Sequence, residues 1–244
     1  IIFAGIVSGL PTSVSRFVAT WDPSQLFTYL LFALLAAVTI AGVIFVNEGQ
    51  RTIPVSYAKR VRGARVYGGA ATHLPLKVNQ AGVMPIIFAV SLILIPTMVA
   101  NFFAQSANER LASLALSLSA WLQDQWIYGG LYFLLVVLFT YFYTAVIVDP
   151  SKISENLQKQ GGYIPGIRPG NTTAEYLYHI INRITLAGAL FLGVIAVLPL
   201  IVQGATGIQA FSIGGVSILI VVSVVLETIK HIQGQLAMRS YETF

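Results

Sequence analysis

The stretch Leu26 to Val46 reads LFTYLLFALLAAVTIAGVIFV and contains no Asp, Glu, Lys or Arg. As a helix rising 1.5 Å per residue it reaches about 30 Å, the thickness of the hydrocarbon core of a bilayer. Three further stretches of similar length, 81–104, 127–148 and 184–203, also lack charged residues. A fifth apolar run, 213–226, is shorter and ends before Glu227. These runs predict an all-α fold, a polytopic transmembrane helix bundle.

The composition and the placement of charge support this class. Only 9% of the residues are charged and 56% are hydrophobic, which is unusual for a soluble domain of 244 residues. Of the 14 Lys and Arg residues, all but Arg16 and Arg110 lie in 47–80, in 149–183 or in the tail from Lys230. The positive-inside rule therefore predicts two large cytoplasmic loops, 47–80 and 149–183, and a cytoplasmic tail, 232–244. The corresponding spans are 25–46, 81–104, 127–148, 184–203 and 213–231.

The basic loops have two interpretations. The net charge of +5 is concentrated in them, and retention of these loops during membrane insertion explains it without any partner. They also form a surface suited to an anionic partner such as ribosomal RNA. At the other end of the sequence, the apolar residues 1–10 are long enough for only half a membrane helix. We expect them to be the remnant of a transmembrane helix whose preceding part lies outside this sequence.

The two loops are predicted to contain structure of their own. Thr52–Tyr57 and Ala64–Tyr67 flank a basic turn, which favours a hairpin with its tip in water. Asp149-Pro150 is a helix start, and that helix is expected to reach Gln160 and to end at Gly161-Gly162. The string Pro165-Gly-Ile-Arg-Pro-Gly170 forbids regular helix, so Arg168 is expected on a stiff, exposed loop. Thr172 with Glu175 then predicts a capping box that opens the next helix.

Two features between the spans are also informative. Leucines and a tryptophan in 105–125 predict a short amphipathic helix at the membrane interface. Pro85 and Pro96 are expected to interrupt the span 81–104, and Pro199 lies near the end of 184–203. The prolines are typical either of ordinary membrane-helix irregularity or of a bent helix that lines a pathway.

No motif for catalysis, a cofactor or a metal is present. The sequence lacks Cys, and His73, His179 and His231 have no ligand spacing. It has no H-E-x-x-H, G-x-S-x-G, Walker A or dinucleotide-binding motif, so an enzyme is not predicted. A solute transporter coupled to protons or sodium usually places ionisable groups in the membrane, and the four full spans have none. Such a transporter, and an insertase or scaffold without a continuous pore, remain the alternatives to an apolar channel sealed by dewetting.

Several strings of residues resemble one family. They are Ile2-Phe-Ala-Gly-Ile-Val7, Tyr57-Ala-Lys-Arg60, Thr72-His-Leu-Pro-Leu-Lys-Val-Asn79, Ala81-Gly-Val-Met-Pro85 and Pro165-Gly-Ile-Arg-Pro-Gly170. Together they are similar to bacterial SecY, the central subunit of the Sec protein-conducting channel. The resemblance implies that this sequence corresponds to the C-terminal half, from within the fifth transmembrane helix to just past the tenth.

The resemblance also implies roles for particular residues. A pore ring of aliphatic side chains would comprise Ile2, Ile6, Ile87 and Ile220, positions that the sequence alone would assign to ordinary core. The spans 81–104 and 127–148 would form one half of the lateral gate. Arg60, Arg62, Arg65, Arg168 and Tyr241 would face SecA or the ribosome. This chain has Ala64 where the family often has a second basic residue beside Arg65.

The implied function is passage of unfolded preproteins across the bacterial inner membrane, with release of membrane helices into it. SecA or the ribosome would drive the movement, and the channel would not be an enzyme. The implied partners are SecE, SecG, SecA, the ribosome with its RNA, signal sequences, preproteins and membrane lipids. No cofactor is implied.

Overall fold

The computed structural model describes residues 26–57, 60–62, 65–67, 71–104 and 108–206, with residues 11, 15 and 23 and the runs 221–222, 224–225, 228–229 and 232–236. The predicted half-helix 1–10 lies outside the described residues. Of the predicted span 213–231, only the residues at 221–222, 224–225 and 228–229 are described, and they are helical.

Helices dominate the described part of the chain, which confirms the predicted fold class. They are α1 (Leu26–Glu48), α2 (Met84–Ala104), α3 (Glu109–Gln123), α4 (Gln125–Ile147), α5 (Pro150–Lys159) and α6 (Asn171–Thr206). Among the described residues, four helical stretches, which cover all or most of α1, α2, α4 and α6, are long and apolar enough to cross a membrane. A helix suits such residues because it satisfies its backbone polar groups internally, where lipid offers no partners.

The long helices alternate in direction. The chain leaves α1 for a β-sheet, returns along α2, crosses by α3 to α4, and comes back to the sheet before α6. We call the end of the bundle that carries the sheet the sheet end. Helix α3 lies at the opposite end, where α4 begins and the side chain of Gln125 donates to the carbonyl of Leu200.

The core of the bundle is mainly aliphatic, with the aromatic Tyr132 also buried in it, and draws on all four long helices. Its buried members come from α1, α2, α4 and α6 and from the turn before α2: Val43, Val83, Ile86, Ala89, Ile93, Tyr132, Val136, Leu192, Ile195 and Ala196. Val222 and Val224, in the short helical runs near the C-terminus, also pack against it. This shared burial joins the spans into one body.

The start of α2 corrects one expectation. The helix begins at Met84, so Pro85 is its second residue and does not interrupt it. A proline is tolerated there because the first backbone N–H groups of a helix have no partner within the helix. Pro96 and Pro199 do lie inside helices, in α2 and α6 respectively.

The amphipathic helix predicted in 105–125 is present as α3. The Asn108 side chain caps it by accepting from the backbone N–H of Arg110 at 3.2 Å. Ala115, Ser119 and Leu122 are buried, whereas Leu114 and Trp121 are exposed at 69% and 55%. The helix therefore covers the bundle with one face and presents a second apolar face outward, as an interfacial helix would.

At the sheet end, three of five short strands, drawn from both predicted loops, form one sheet. The strands are β1 (Gln50–Tyr57), β2 (Arg60–Arg62), β3 (Arg65–Tyr67), β4 (Ala71–Lys77) and β5 (Gly162–Tyr163). β1 pairs antiparallel with β4 and, through Ser56 and Tyr57, with β5, giving the order β4-β1-β5. β2 and β3 form a separate antiparallel pair.

The predicted hairpin exists, but its register was wrong. Thr52–Tyr57 was expected to face Ala64–Tyr67, whereas β1 pairs with β4 from Gln50↔Lys77 to Ser56↔Ala71. The strand at 65–67 pairs with Arg60–Arg62 instead. Two hairpins are thus nested in the sequence, with the smaller one, β2-β3, between β1 and β4.

Two prolines fit into this sheet because of its register. Pro54 faces His73 and Pro75 faces Thr52, so both belong to the same alternating class of pair. The Val78 N–H donates to the Gly49 carbonyl at 2.8 Å, so residues 49 and 78 form a hydrogen-bonded pair. Hydrogen-bonded and non-hydrogen-bonded pairs alternate along antiparallel strands, so both prolines lie in non-hydrogen-bonded pairs. Each proline therefore sits where its missing N–H would point away from the partner strand.

The helix start predicted at Asp149-Pro150 is confirmed. The Asp149 carboxylate accepts from the backbone N–H groups of Ser151 and Lys152 at 3.0 and 3.3 Å, and Pro150 is the first helical residue. The hydrogen bond from the Lys152 backbone is the largest cause that lowers the pKa of Asp149. The helix ends at Lys159, just before Gly161, whose φ is +72°.

Helix α6 is longer than the predicted span 184–203. It begins at Asn171, and its 36 residues correspond to about 54 Å. Thr172 therefore lies inside the first turn and does not precede the helix as a capping residue. Leu177, Ile180 and Ile181 in its first half pack against Ile53, Leu76 and Ile164, forming a second core under the sheet.

Candidate functional site

The interior of the bundle is one candidate site. No Asp, Glu, Lys or Arg occurs in α2 and α4, in residues 26–46 of α1 or in residues 184–206 of α6. The buried Thr140 hydroxyl donates to the Val136 carbonyl at 2.7 Å, whereas the buried Tyr132 hydroxyl has no hydrogen-bond partner among the described residues. The described spans thus offer mainly apolar surface and no carboxylate, ammonium or guanidinium group that could bind an ion or a proton.

Ile87 is the one predicted ring residue inside the described part of the chain. It lies in the first turn of α2, partly buried, and packs against the bundle core. The neighbouring Ile86 is fully buried in that core. Ile2, Ile6 and Ile220 lie outside the described residues, so the ring of four remains a prediction.

The loop that carries Arg168 is held from three sides. The Thr173 hydroxyl donates to the Arg168 carbonyl at 2.8 Å, and the Ser154 hydroxyl of α5 donates to the Gly170 carbonyl at 2.7 Å. Within the loop, the Ile167 N–H donates to the Ile164 carbonyl at 3.0 Å, and the Ile164 side chain is buried in the second core. Gly166 and Gly170 have φ values of +84° and +100°, which L side chains rarely adopt.

Arg168 itself is exposed, as predicted. In the part of the chain that the structure describes, its guanidinium has no carboxylate within ion-pair distance. A fixed backbone and an unpaired cation make a point of contact for an anionic group.

The remaining basic positions lie on the small hairpin. Arg62 pairs directly with Arg65, and Arg60 pairs with Tyr67. Tyr241 lies outside the described residues.

The structure brings together two loops that the sequence analysis treated separately. Tyr163 in the second loop pairs with Ser56 in the first, next to the point where the small hairpin begins. Arg168 follows five residues after Tyr163. The strand that leads into the Arg168 loop therefore pairs with the end of β1, which precedes the small hairpin in the chain.

Several residues that hold this end of the molecule were not predicted. The buried Asn79 side chain donates to Asn47 Oδ1 at 2.8 Å and to the Gly82 carbonyl at 3.2 Å, which ties the start of α2 to the end of α1. Ser154 and Thr173 hold the Arg168 loop in a similar way. Nothing in their sequence spacing indicates these contacts. Among the described residues, no group of three His, Asp or Glu side chains lies together as a metal site would require.

Comparison with known proteins agrees with the motifs. The family model for SecY matches residues 1–229. The protein translocase subunit SecY of Thermotoga maritima is 46% identical over 244 residues, which cover all of this chain and 54% of the relative. The same subunit of Halalkalibacterium halodurans is 46% identical over 257 residues, covering all of this chain and 58% of the relative. The chain thus spans about half the length of the curated relatives it matches.

Solved structures agree on the fold. A structure of a protein-conducting channel superposes with a TM-score of 0.53 at 16% identity, over 92% of this chain and 54% of that one. A second structure, of a SecY channel studied for its plug domain, gives the same TM-score at 19% identity over 94% of this chain. The chain is a multi-pass membrane protein, and it belongs to the SecY family.

Proposed function

We propose that this chain forms part of a protein-conducting channel subunit of the bacterial inner membrane. In this role it passes unfolded preproteins across the membrane and releases membrane helices into the lipid. The observation that carries the proposal is a bundle of apolar helices whose membrane-length segments contain no Asp, Glu, Lys or Arg, in a chain that matches SecY relatives over its whole length. A pathway lined by aliphatic side chains suits a polypeptide, because it excludes ions by dewetting and makes no specific contact with the passing chain.

The same observation speaks against the small-solute transporter, which no comparison supports. Coupled transport needs ionisable or polar binding groups near the middle of the membrane. The role we propose is also passive, with the driving force supplied by SecA or the ribosome. SecE and SecG would be the other subunits of the channel.

The sheet end is proposed to face the cytoplasm and to bind these motors. Its support is the concentration of Lys and Arg in 47–80 and 149–183, together with the exposed, unpaired Arg168 on a loop fixed by hydrogen bonds. The surface of SecA or of ribosomal RNA would supply the anionic groups. Positions 60, 62 and 65 on the small hairpin, and Tyr241, would belong to the same docking surface.

Charge reversal at the loop tests the docking surface. Arg168→Glu in the full-length protein should strongly reduce preprotein translocation driven by purified SecA and ATP, because a contact with an anionic partner becomes a repulsion. Arg110→Glu is the matched control, since Arg110 is an exposed arginine on α3 at the opposite end. Equal translocation by the Arg168→Glu variant and the wild type, at equal amounts of membrane-inserted protein, would refute the assignment.

A polar substitution tests the aliphatic seal. Ile87→Asn should make the resting channel leak ions, because asparagine supplies hydrogen-bond donors and acceptors to water in the narrow neck. Ile86→Asn is the control: Ile86 is fully buried, so that variant should lose protein yield without gaining conductance. Planar-bilayer recording separates the two effects. An unchanged resting conductance for Ile87→Asn at wild-type yield contradicts a place for Ile87 in the seal.

A further inference from the structure

A polar groove lies where α6 leaves the sheet and enters the apolar bundle. It has a volume of about 380 Å³ and lies between the start of β1 and the first half of α6. Its lining residues are Arg51, Thr172, Glu175, Tyr176, His179, Ile180 and Arg183. We call it the Arg51–Arg183 groove.

The two arginines give the groove its positive character. Both side chains are exposed, and neither has a carboxylate within ion-pair distance in the described part of the chain. The only acidic side chain in the lining is Glu175, eight residues before Arg183 and so about 12 Å away along the helix. The groove therefore presents two guanidinium groups, whose planar donor sets suit phosphate oxygens.

His179 adds a second kind of polar group. Its Nδ1 lies 3.0 Å from the carbonyl of Glu175, and since a carbonyl only accepts, Nδ1 must donate. In the neutral ring this leaves Nε2 as an acceptor. A ligand with both a phosphate and a hydroxyl group matches two guanidinium donors and one imidazole acceptor.

The groove lies at the boundary of the apolar segment. Arg183 directly precedes the uncharged residues 184–206, and Arg51 follows shortly after α1 ends at Glu48. Leu190, Val194 and Ile201 follow Arg183 by 7, 11 and 18 residues, so they lie on the same face of α6 as Arg183. These side chains are 44%, 55% and 55% exposed. An apolar track thus continues from the charged groove along the membrane helix.

From this arrangement we propose that the Arg51–Arg183 groove binds the headgroup of an anionic phospholipid, with glycerol-bearing phosphatidylglycerol as the best match. The phosphate binds to the two guanidinium groups, and a glycerol hydroxyl donates to His179 Nε2. The acyl chains lie along Leu190, Val194 and Ile201. An acidic segment of a soluble protein would satisfy the arginines but would leave this apolar track uncovered, which is why we favour a lipid. The site does not depend on the proposed translocation function.

Lipid binding to the full-length protein in detergent tests the proposal by native mass spectrometry. Phosphatidylglycerol and phosphatidylcholine with identical acyl chains are titrated separately, and the affinity for the first bound lipid is measured. We expect phosphatidylglycerol to bind the wild type more tightly. The double variant Arg51→Gln with Arg183→Gln should weaken phosphatidylglycerol binding by about 25-fold. This estimate takes about fivefold for each basic residue lost at an anionic lipid surface. Arg110→Gln and Arg168→Gln, which each remove one exposed guanidinium elsewhere, should leave the affinity unchanged.

A gain of affinity guards against a variant that merely misfolds. Glu175→Gln removes the one negative charge from the groove and should tighten phosphatidylglycerol binding while leaving phosphatidylcholine binding unchanged. Wild-type affinity in the double arginine variant, or equal losses in the two control variants, would overturn the proposal. Displacement of the lipid by millimolar inorganic phosphate would also overturn it, because it would indicate an anion site without a role for the acyl chains. So would displacement by an acidic peptide, which would assign the groove to a protein partner.

Discussion

Gly188 lies where helix α6 passes the backbone of the connection between β4 and α2. A Cβ atom built on Gly188 would lie 2.7 Å from the Val78 carbonyl oxygen, whereas ordinary van der Waals contact begins near 3.4 Å. The added methyl group of Gly188→Ala would thus overlap the oxygen by about 0.7 Å. Val78 has little freedom to retreat, because its N–H donates to the Gly49 carbonyl at 2.8 Å and Asn79 follows it directly.

The expected cost follows from this overlap. Overpacking against a fixed backbone destabilises by about 1–3 kcal/mol, which exceeds the gain in helix propensity on replacing glycine by alanine, about 0.5–1 kcal/mol. Gly188→Ala should therefore unfold below the wild type, by a few degrees at most, because the shift in melting temperature per kcal/mol falls as the chain becomes longer. Thermal unfolding of the full-length protein in detergent measures the shift.

Two other glycines in the bundle provide matched controls. A Cβ on Gly130 of α4 would have nothing within 4 Å, so Gly130→Ala should be neutral or slightly stabilising. A Cβ on Gly193 would lie 2.7 Å from ring carbons of Phe133, a side chain that can rotate, so its cost should be intermediate. The predicted order of stability is Gly130→Ala, then Gly193→Ala, then Gly188→Ala. Equal melting temperatures for the Gly130 and Gly188 variants would refute the close approach of α6 to Val78.

Three further predictions concern the hydrogen bonds at the sheet end. Asn79→Ala should destabilise the protein by about 1–3 kcal/mol, and a double-mutant cycle with Asn47→Ala, followed by thermal unfolding, should give a non-zero coupling energy. Asp149→Ala should lower the melting temperature, and Asp149→Asn should largely keep it. Because folding lowers the pKa of Asp149, the stabilisation by its carboxylate is complete above pH about 4 and is lost as the pH falls through the folded-state pKa. The difference in melting temperature between Asp149→Ala and the wild type should therefore shrink in acid. Thr173→Val should reduce SecA-driven translocation by loosening the loop-tip arginine, whereas Thr172→Val, one residue away and exposed, should not.

Local sequence signals predicted the elements whose cause is local. Uncharged runs of bilayer length predict the long helices, and Asp149-Pro150 predicts the start of α5 because the cap bonds form within three residues. The amphipathic pattern of 105–125 likewise appears as α3. In each case the interactions that decide the element lie within a few turns of the chain.

The sequence failed where distant residues decide the structure. The register of β1 depends on β4, about twenty residues away. Pro75 makes the β4 segment a poor strand candidate by sequence, but Pro75 faces Thr52 in a pair that requires no N–H from it. A helix that opens near Thr172 and runs towards the span 184–203 was predicted from Thr172 and Glu175, but the burial of Leu177, Ile180 and Ile181 beneath the sheet, as part of the continuous helix α6, depends on tertiary structure. For the candidate site, the two prolines and two glycines predicted the exposure of Arg168. The hydrogen bonds from Ser154 and Thr173 that fix its loop depend on tertiary structure.

The continuity of α6 has a mechanical consequence for the proposed docking surface. The helix begins directly after the Arg168 loop, contributes Leu177 to the core under the sheet, and contributes Leu192 and Ile195 to the core of the bundle. Its internal proline, Pro199, lies beyond the buried residues that α6 contributes to both cores. A partner that displaces the loop therefore acts on a helix without a proline between the two cores, and the helix should tilt as a rigid element. Because Gly188 packs against Val78, next to Asn79 and the start of α2, such a tilt would reach α2 by direct contact. Motion of the docking surface and motion of the helix that carries Ile87 are thus expected to be coupled through two adjacent contacts.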